Sequence, residues 1–513
     1  MVEDSLAKRY FSKLTSKGLG ILLSLVTVGV IPKALGPEAY GNVGFLTNFF
    51  KNLIKFLKFG VPTAYFTKIS KRPEEKNIIV FYLYYVLFVL FILLILLVLS
   101  FKIGFDEIIW PDQKKIFVLL ACAMVVANFI INSLSQTVDA YGLTFKYEFF
   151  TIIKTSIYTI LIILLAKNDL LNIENYFFLN IFLLITLSII GFHLLYKNRI
   201  LIFDSILLKK NEFFSYFKEF YSFSHPLFVY SIVVFLISFF DRWILQYFYG
   251  SREQGLYTLA ITISSMIYLV SSQGSQLILR EMSIASKEKS NDKIKEVLEK
   301  FLPIFFVISI YFAAFISINS TQIILIIWGD QFKNAQIIVS FIVFNTAFQT
   351  VNLFAGNVLF AKDKTLFLRN VGSITIIFSF FISLILMLPA EYGGFKLGAL
   401  GLSIKIVLYH FLIGNISLLY CSRILKFNFI KHVYHQFSTM IILLLFSFGS
   451  MFAVARFSQD LYFSFLINGV LYTALTVLLI LKFPTFFMFN QKDLDSLSVN
   501  ALNMYRLLKT KLF

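Results

Sequence analysis

The chain has 513 residues, 58% of them hydrophobic and 14% charged, with a mean hydropathy of +0.80. A soluble protein of that length could not hide so much apolar surface, so the composition excludes a soluble enzyme and predicts an all-α polytopic membrane protein. The formal net charge of +18 is no nucleic-acid footprint, because the basic residues lie in short segments between apolar runs, where they report membrane orientation.

The opening stretch, MVEDSLAKRYFSKLTSKGLGILLSL, has the charge pattern of a signal peptide. It lacks an A-x-A-like cleavage site, and Pro32 and LGPEAYG follow directly, which predicts an uncleaved first span. Apolar runs follow in chain order near 18–36, 40–66, 77–101, 116–138, 148–166, 176–196, 226–248 and 255–279, then 301–328, 335–361, 366–389, 397–420, 437–455 and 462–482. This is about fourteen transmembrane helices. With the N-terminus inside, cytoplasmic segments hold about 31 Lys and Arg and the other loops about 9, which places both termini in the cytoplasm. Cys122 and Cys421 lie far apart in apolar surroundings and build neither a disulfide framework nor a metal site.

The second run holds an anomaly. In TNFFKNLIKFLKFG, residues 47–60, Lys51, Lys55 and Lys58 fall within about 60° of one another at helical spacing, with Asn48 on the same face. A Lys at the centre of a bilayer costs ~3 kcal/mol on insertion scales. Lys55 and Lys58 can snorkel to the cytoplasmic interface, whereas Lys51 is too deep to do so comfortably. The stripe is therefore expected to face a water-filled cavity; the competing reading is an amphipathic helix lying in the interface.

A glycine ruler recurs along the chain. GPEAYGNVGFLTNFFKNLIKFLKFG and GSREQGLYTLAITISSMIYLVSSQG both read G-x4-G-x18-G, with Gly36, Gly41 and Gly60 in one and Gly250, Gly255 and Gly274 in the other. AYGLT from Ala140 and AKDKT from Ala361 stand in corresponding inside loops. Six spans separate the copies, so the repeat is parallel. The expected architecture is two parallel six-helix bundles around a central cavity plus two C-terminal helices. Its parts are an N-terminal bundle at 1–196, a cytoplasmic amphipathic linker at 197–225, a second bundle at 226–420, and two extra helices with a basic cytoplasmic tail at 421–513.

Other polar residues inside the runs carry two readings each. Gln273, Gln276, Lys405, Asn128, Asn132 and Asn352 can hydrogen-bond a substrate in the cavity or hold helices together. Asp241 and Arg242 are about 100° apart on a helix, so one can line the cavity while the other pairs with a neighbour. Asp241, a carboxylate well inside a span, is the candidate for proton or sodium coupling. No G-x4-G-K-[ST] occurs, and Gly41 is followed by Asn42, so an ATP-driven pump is not expected.

The chain resembles the polysaccharide and O-antigen (Wzx-type) flippases of the multidrug/oligosaccharidyl-lipid/polysaccharide exporter superfamily. The resemblance rests on IPKALGPEAYG after the first span, FGVPTAYFTKIS closing the second, and HPLFVYSIVVFLISFFDRWILQYFYGSREQGLYTLA, where Pro226, Asp241-Arg242 and Gly255-Leu256-Tyr257 fall as in that family. It implies a transporter and not an enzyme, in the bacterial cytoplasmic (inner) membrane, that flips an undecaprenyl-diphosphate-linked oligosaccharide between leaflets. No cofactor is implied beyond a proton or sodium gradient. Implied partners are the lipid-linked oligosaccharide, membrane lipids, a polysaccharide polymerase and a chain-length regulator, with no nucleic acid. On this reading Lys51, Lys55, Lys58, Asn48, Gln273, Gln276, Arg242 and Lys405 line the cavity, and the lysines meet the diphosphate. A lipid II-type or teichoic-precursor flippase and a multidrug exporter of the same superfamily stay open. A membrane glycan polymerase would need catalytic groups in an outer loop, and the longest, 102–115, has no His and few charges.

Overall fold

The computed structural model describes residues 6–201, 208–457 and 460–489, and every regular element among them is helical. Residues 202–207 of the expected linker and the tail beyond 489 lie outside the described residues. The helices are α1 (Leu6–Leu57), α2 (Val61–Lys71), α3 (Asn77–Ile103), α4 (Asp106–Ile109), α5 (Lys115–Ala140), α6 (Thr144–Lys167), α7 (Ile173–Lys197) and α8 (Lys210–Lys287). After them come α9 (Asn291–Ile318), α10 (Ser320–Ile327), α11 (Ala335–Ile342), α12 (Asn345–Ala361), α13 (Thr365–Met387), α14 (Gly398–Leu425), α15 (Phe429–Ala455) and α16 (Leu461–Lys482).

Among the described residues, twelve helical stretches are long and apolar enough to cross a membrane. Two of them are too long for one crossing: 43 residues at Thr15–Leu57 and 57 at Ser231–Lys287. At 1.5 Å per residue even the shorter would be ~65 Å long, about twice the hydrocarbon core. Each is interrupted at the first glycine of its ruler, Gly36 with φ 78°, ψ 168° and Gly250 with φ 74°, ψ −177°. That backbone region is open essentially to glycine alone. At Gly250 the chain folds back, because Arg242 Nη1 donates to Thr258 Oγ1 at 3.2 Å across sixteen residues that a straight helix would stretch to ~24 Å. With two crossings in each long stretch, the fourteen expected spans are recovered.

The chain divides into two compact units, Met1–Thr258 and Leu259–Phe513. The sequence reading put its boundary in the linker at 197–225. The first unit instead keeps α8 as far as Thr258, for a physical reason at the glycines. A Cβ on Gly41 would lie 1.8 Å from the Ser251 carbonyl oxygen, and one on Gly255 would lie 1.8 Å from that of Pro37. Pro37 and Ser251 each follow the turn glycine of their own copy, so the contact is reciprocal. Gly44 stands against the Thr258 side chain, its own counterpart in the ruler. Small residues let these backbones touch, which is how helices associate where no hydrophobic drive exists.

The third glycines of the ruler do not match. Gly60 has φ 78° and, with Phe59 at φ 48°, ends the second arm of α1, so the expected run to residue 66 is broken near Leu57. Gly274 is helical, and a Cβ there would press on the Phe305 ring at 2.5 Å. The two loops expected inside do match each other. Tyr141-Gly142 and Lys362-Asp363 make the same turn, each with a positive-φ residue, and each closes with a backbone bond of the same span: Leu143 to Val138 at 3.0 Å, Lys364 to Leu359 at 2.8 Å.

Gly41→Ala and Gly255→Ala should each lower thermal stability in detergent by roughly 1–3 kcal/mol, the range for an overpacked contact. Both displace one crossing, so the double variant should lose less than the two losses combined. Fluorescence-monitored unfolding distinguishes this from two independent sites, whose effects would add.

Candidate functional site

The second arm of α1 sorts its side chains sharply. Val43, Leu46, Phe50, Leu53, Ile54 and Leu57 are buried in the core of the first unit. Between Gly41 and Gly60 the exposed residues are Lys51 and Lys55, and no others. Other helices expose apolar side chains instead: on α3 the open positions include Leu87, Phe91, Leu94, Ile95 and Leu99. The open strip of α1 is thus the cationic one.

The strip is held in place from behind. Asn48 Oδ1 accepts from Asn52 Nδ2 at 3.0 Å, one turn apart on the same helix. Lys58 Nζ lies 5.1 Å from the centre of the Phe129 ring on α5. Tyr85 donates its hydroxyl to the Leu57 carbonyl at 2.7 Å, satisfying an acceptor that the Phe59-Gly60 break leaves without an intrahelical partner. Below the break Tyr65 stacks on Tyr82, centroids 3.9 Å apart, and their hydroxyls reach Thr137 and Ser133 on α5 at 2.7 and 3.1 Å.

Among the described residues, neither the Lys51 nor the Lys55 ammonium has a carboxylate or hydrogen-bond partner. Several cations elsewhere in the first unit do. Lys13 pairs with Asp139 at 2.5 Å and Lys115 with Asp106 at 3.2 Å. Lys68 and Arg72 converge on Glu219, with Arg72 also 3.1 Å from Glu75. Burial alone would raise the Glu219 carboxyl, but the two cations hold it below its ordinary value, so this clamp stays charged at neutral pH.

Arg242 sits in the hairpin of α8. It donates to Gln254 Oε1 at 2.9 Å and to Thr258, and its guanidinium stacks 4.3 Å from the centre of the Tyr257 ring. Gln254 returns a bond to the Arg242 carbonyl at 2.5 Å. These contacts tie the two arms of the turn at Gly250. Asp241 beside it is buried. In the second unit Lys405 is buried on α14, Gln273 is exposed on α8, and the side chain of Gln276 lies outside the described residues, as does that of Pro226. Asn128 donates to Met124 O on its own helix at 3.0 Å, and Asn132 is exposed. The geometry thus gathers Asn48, Lys51, Lys55 and Lys58 on one helix, and the other candidates stand on other elements.

One cation escaped the sequence reading. Lys154 lies near the middle of α6, ten residues from its start, half-buried, with no carboxylate or hydrogen-bond partner among the described residues. Isolated among Ile and Thr, it forms no stripe. The signal was available all the same, as a lone charge inside an apolar run.

Cysteines at Lys51 and Lys55 should react with a hydrophilic thiol reagent, and cysteines at Leu53 and Leu57 should not. Cys122 and Cys421 are buried and give little background. Equal protection at all four positions would place the helix against lipid or protein and remove the water-facing strip.

The fold is similar to those of several solved membrane transporters. It is similar to a lipid II flippase, MurJ, in an inward closed conformation, with a TM-score of 0.65 and 16% identity over 92% of this chain and 98% of that one. An inward-facing multidrug resistance MATE family transporter of the MOP superfamily gives 0.60 and 14% over 79% and 94%. A MOP superfamily transporter from Pyrococcus furiosus, described as having a binding pocket of reverse polarity, gives 0.53 and 14% over 82% and 95%. No curated protein matches the chain. A family profile described as polysaccharide biosynthesis protein matches residues 6–273, more than half the chain and all of the lysine strip, so this multi-pass membrane protein belongs to that family.

Proposed function

We propose that the protein flips an undecaprenyl-diphosphate-linked oligosaccharide repeat unit from the inner to the outer leaflet of a bacterial cytoplasmic membrane by alternating access. The observation that carries this is the lysine strip on a largely apolar helix, where Lys51 and Lys55 have no carboxylate or hydrogen-bond partner among the described residues. A diphosphate carries several negative charges, and crossing a low-dielectric region requires cations to accompany it. With both termini in the cytoplasm the Gly36 turn lies on the outer side. Lys51 is then ~22 Å below it and the strip runs ~10 Å further inward to Lys58, so the ladder occupies the inner half of the membrane. That is where a headgroup leaving the cytoplasmic leaflet first needs charge.

Rival substrates are separated by the same features. Cationic drugs would be repelled by this face. Lipid II and teichoic-acid precursors carry the same diphosphate, and the family match to polysaccharide biosynthesis favours a polysaccharide repeat unit. Catalysis in the 102–115 segment is disfavoured because its polar groups pack the α8 hairpin. Ile108 O accepts from Trp243 Nε1 at 2.6 Å, Pro111 O from Gln246 Nε2 at 3.2 Å, and Gln113 donates to Ser251 Oγ at 3.4 Å and to Asn42 of α1 at 2.8 Å. A proton or sodium gradient acting through Asp241 is the proposed drive, and a polymerase and chain-length regulator are the proposed recipients of the flipped unit.

Lys51→Arg should keep most export of the polysaccharide, measured beside protein abundance in the membrane. Lys51→Gln should reduce it at least tenfold and Lys51→Glu should abolish it, since like charges meet at low dielectric. Lys58→Gln should be milder, being nearer water and salt. Normal export by Lys51→Gln at normal abundance would mean that the diphosphate is held elsewhere.

A further inference from the structure

The first unit contains a concave feature beyond the Lys58 end of the lysine strip. It is a groove of about 480 Å³ between the α1–α2 break, the start of α3 and the start of α8, and ten of its eleven lining residues are aromatic. Phe59 and Tyr85 form one wall, Phe88 lies deeper along α3, and Phe217, Phe220 and Tyr221 form the wall from α8. Phe88, Phe217 and Tyr221 are more than half exposed. Phe217 and Tyr221 stack nearly parallel, centroids 6.1 Å apart. The wall from α8 is anchored, because Phe220 is buried under the Lys68 ammonium at 5.4 Å and Glu219 is clamped by Lys68 and Arg72.

Two features say what fits there. The groove begins in the chain where the cationic strip ends: Phe59 follows Lys58 directly, and Tyr85 is the residue that caps Leu57. The lining is flat-faced and offers almost nothing polar along its length, while Lys58 precedes Phe59 in the chain and Lys68, paired with Glu219, lies over Phe220. The complementary ligand is a long hydrocarbon chain attached to an anionic head. A saturated acyl chain gains only dispersion contact from such walls. An isoprenoid chain, with its methyl branches and planar double bonds, is stiffer and wider and lies better against aromatic faces.

We infer that this groove seats the head-proximal isoprene units of the lipid-linked substrate while its diphosphate sits on the lysine strip. The inference rests on the proposed function and adds to it a site for the lipid tail. By holding tail and head side by side, the groove would select polyprenyl diphosphates from the far more abundant phospholipids before the headgroup is moved.

The test uses the full-length protein in phosphatidylethanolamine–phosphatidylglycerol vesicles. It is illuminated with undecaprenyl diphosphate carrying a diazirine in its head-proximal isoprene units, or with phosphatidylglycerol carrying one in an acyl chain. Mass spectrometry should find the polyprenyl adduct on residues 81–88 and 213–221, competed at least tenfold better by unlabelled undecaprenyl phosphate than by phosphatidylglycerol. Phe88→Ser and Phe217→Ser, at exposed positions where folding is little disturbed, should each cut that adduct at least fivefold and reduce export at unchanged abundance. Equal labelling by the two probes, or no loss in the serine variants, would show that the groove holds bulk lipid and overturn the inference. Export of Lys51→Gln is read separately: where it falls while the groove shows no polyprenyl preference, the groove inference alone is lost, and where it is normal, the diphosphate reading fails on its own account.

Discussion

The reciprocal contact of Gly41 with Ser251 and of Gly255 with Pro37 is the constraint on which the first unit depends. Two backbones can approach that closely only where neither carries a Cβ, and both glycines stand one turn beyond a hairpin that itself requires glycine. The turn residue reverses the chain without a loop, so no unsatisfied backbone needs to sit in an apolar environment beyond what the turn itself exposes. The second arm of α1 leaves this crossing on a fixed heading. Its buried face is then set by packing, and Lys51 and Lys55 are left on its exposed strip.

Arg242 shows how the same crossing is reinforced by polar contacts. Its bonds to Gln254 and Thr258 and its stacking on Tyr257 close the α8 hairpin on itself. A guanidinium suits this task better than an ammonium, since its planar fork serves two acceptors while its face meets a ring. Lysine suits the strip for the opposite reason: a compact charge on a flexible stem can follow a moving anion without fixing its orientation. The chain thus uses Arg where geometry is permanent and Lys where it is not.

How much of this was readable in the sequence depends on whether the signal is periodic or tertiary. The lysine stripe was legible because helical spacing alone puts residues 51, 55 and 58 on one face, and the burial of Leu53, Ile54 and Leu57 follows from the same period. The glycine ruler marked the two hairpins, but it could not distinguish Gly36 and Gly250 as turns from Gly274 as a packing site, because conformation and not identity separates them. The break at Phe59 was invisible, since a phenylalanine at positive φ has no sequence signature. The membership of residues 226–258 in the first unit was equally hidden, as it follows from a contact between segments more than two hundred residues apart. Lys154 was missed for want of a stripe.

Charge pairing separates structure from function in this unit. Lys13, Lys68, Arg72 and Lys115 stand at helix ends, and each has a carboxylate within reach. Those pairs are partly exposed and stabilise little individually, yet they leave no cation in need of a partner. Lys51, Lys55 and Lys154 stand inside spans, where a carboxylate partner would be worth more and where the described structure supplies none. A protein that needed these charges only for folding would have neutralised them or replaced them with apolar residues, since a buried pair is often no more stable than a hydrophobic substitute. On the proposed function their counter-charge is an anion that comes and goes. An anion bound permanently would select a rigid, fully satisfied site; a strip of separated ammonium groups, each solvated when empty, suits one that passes along it.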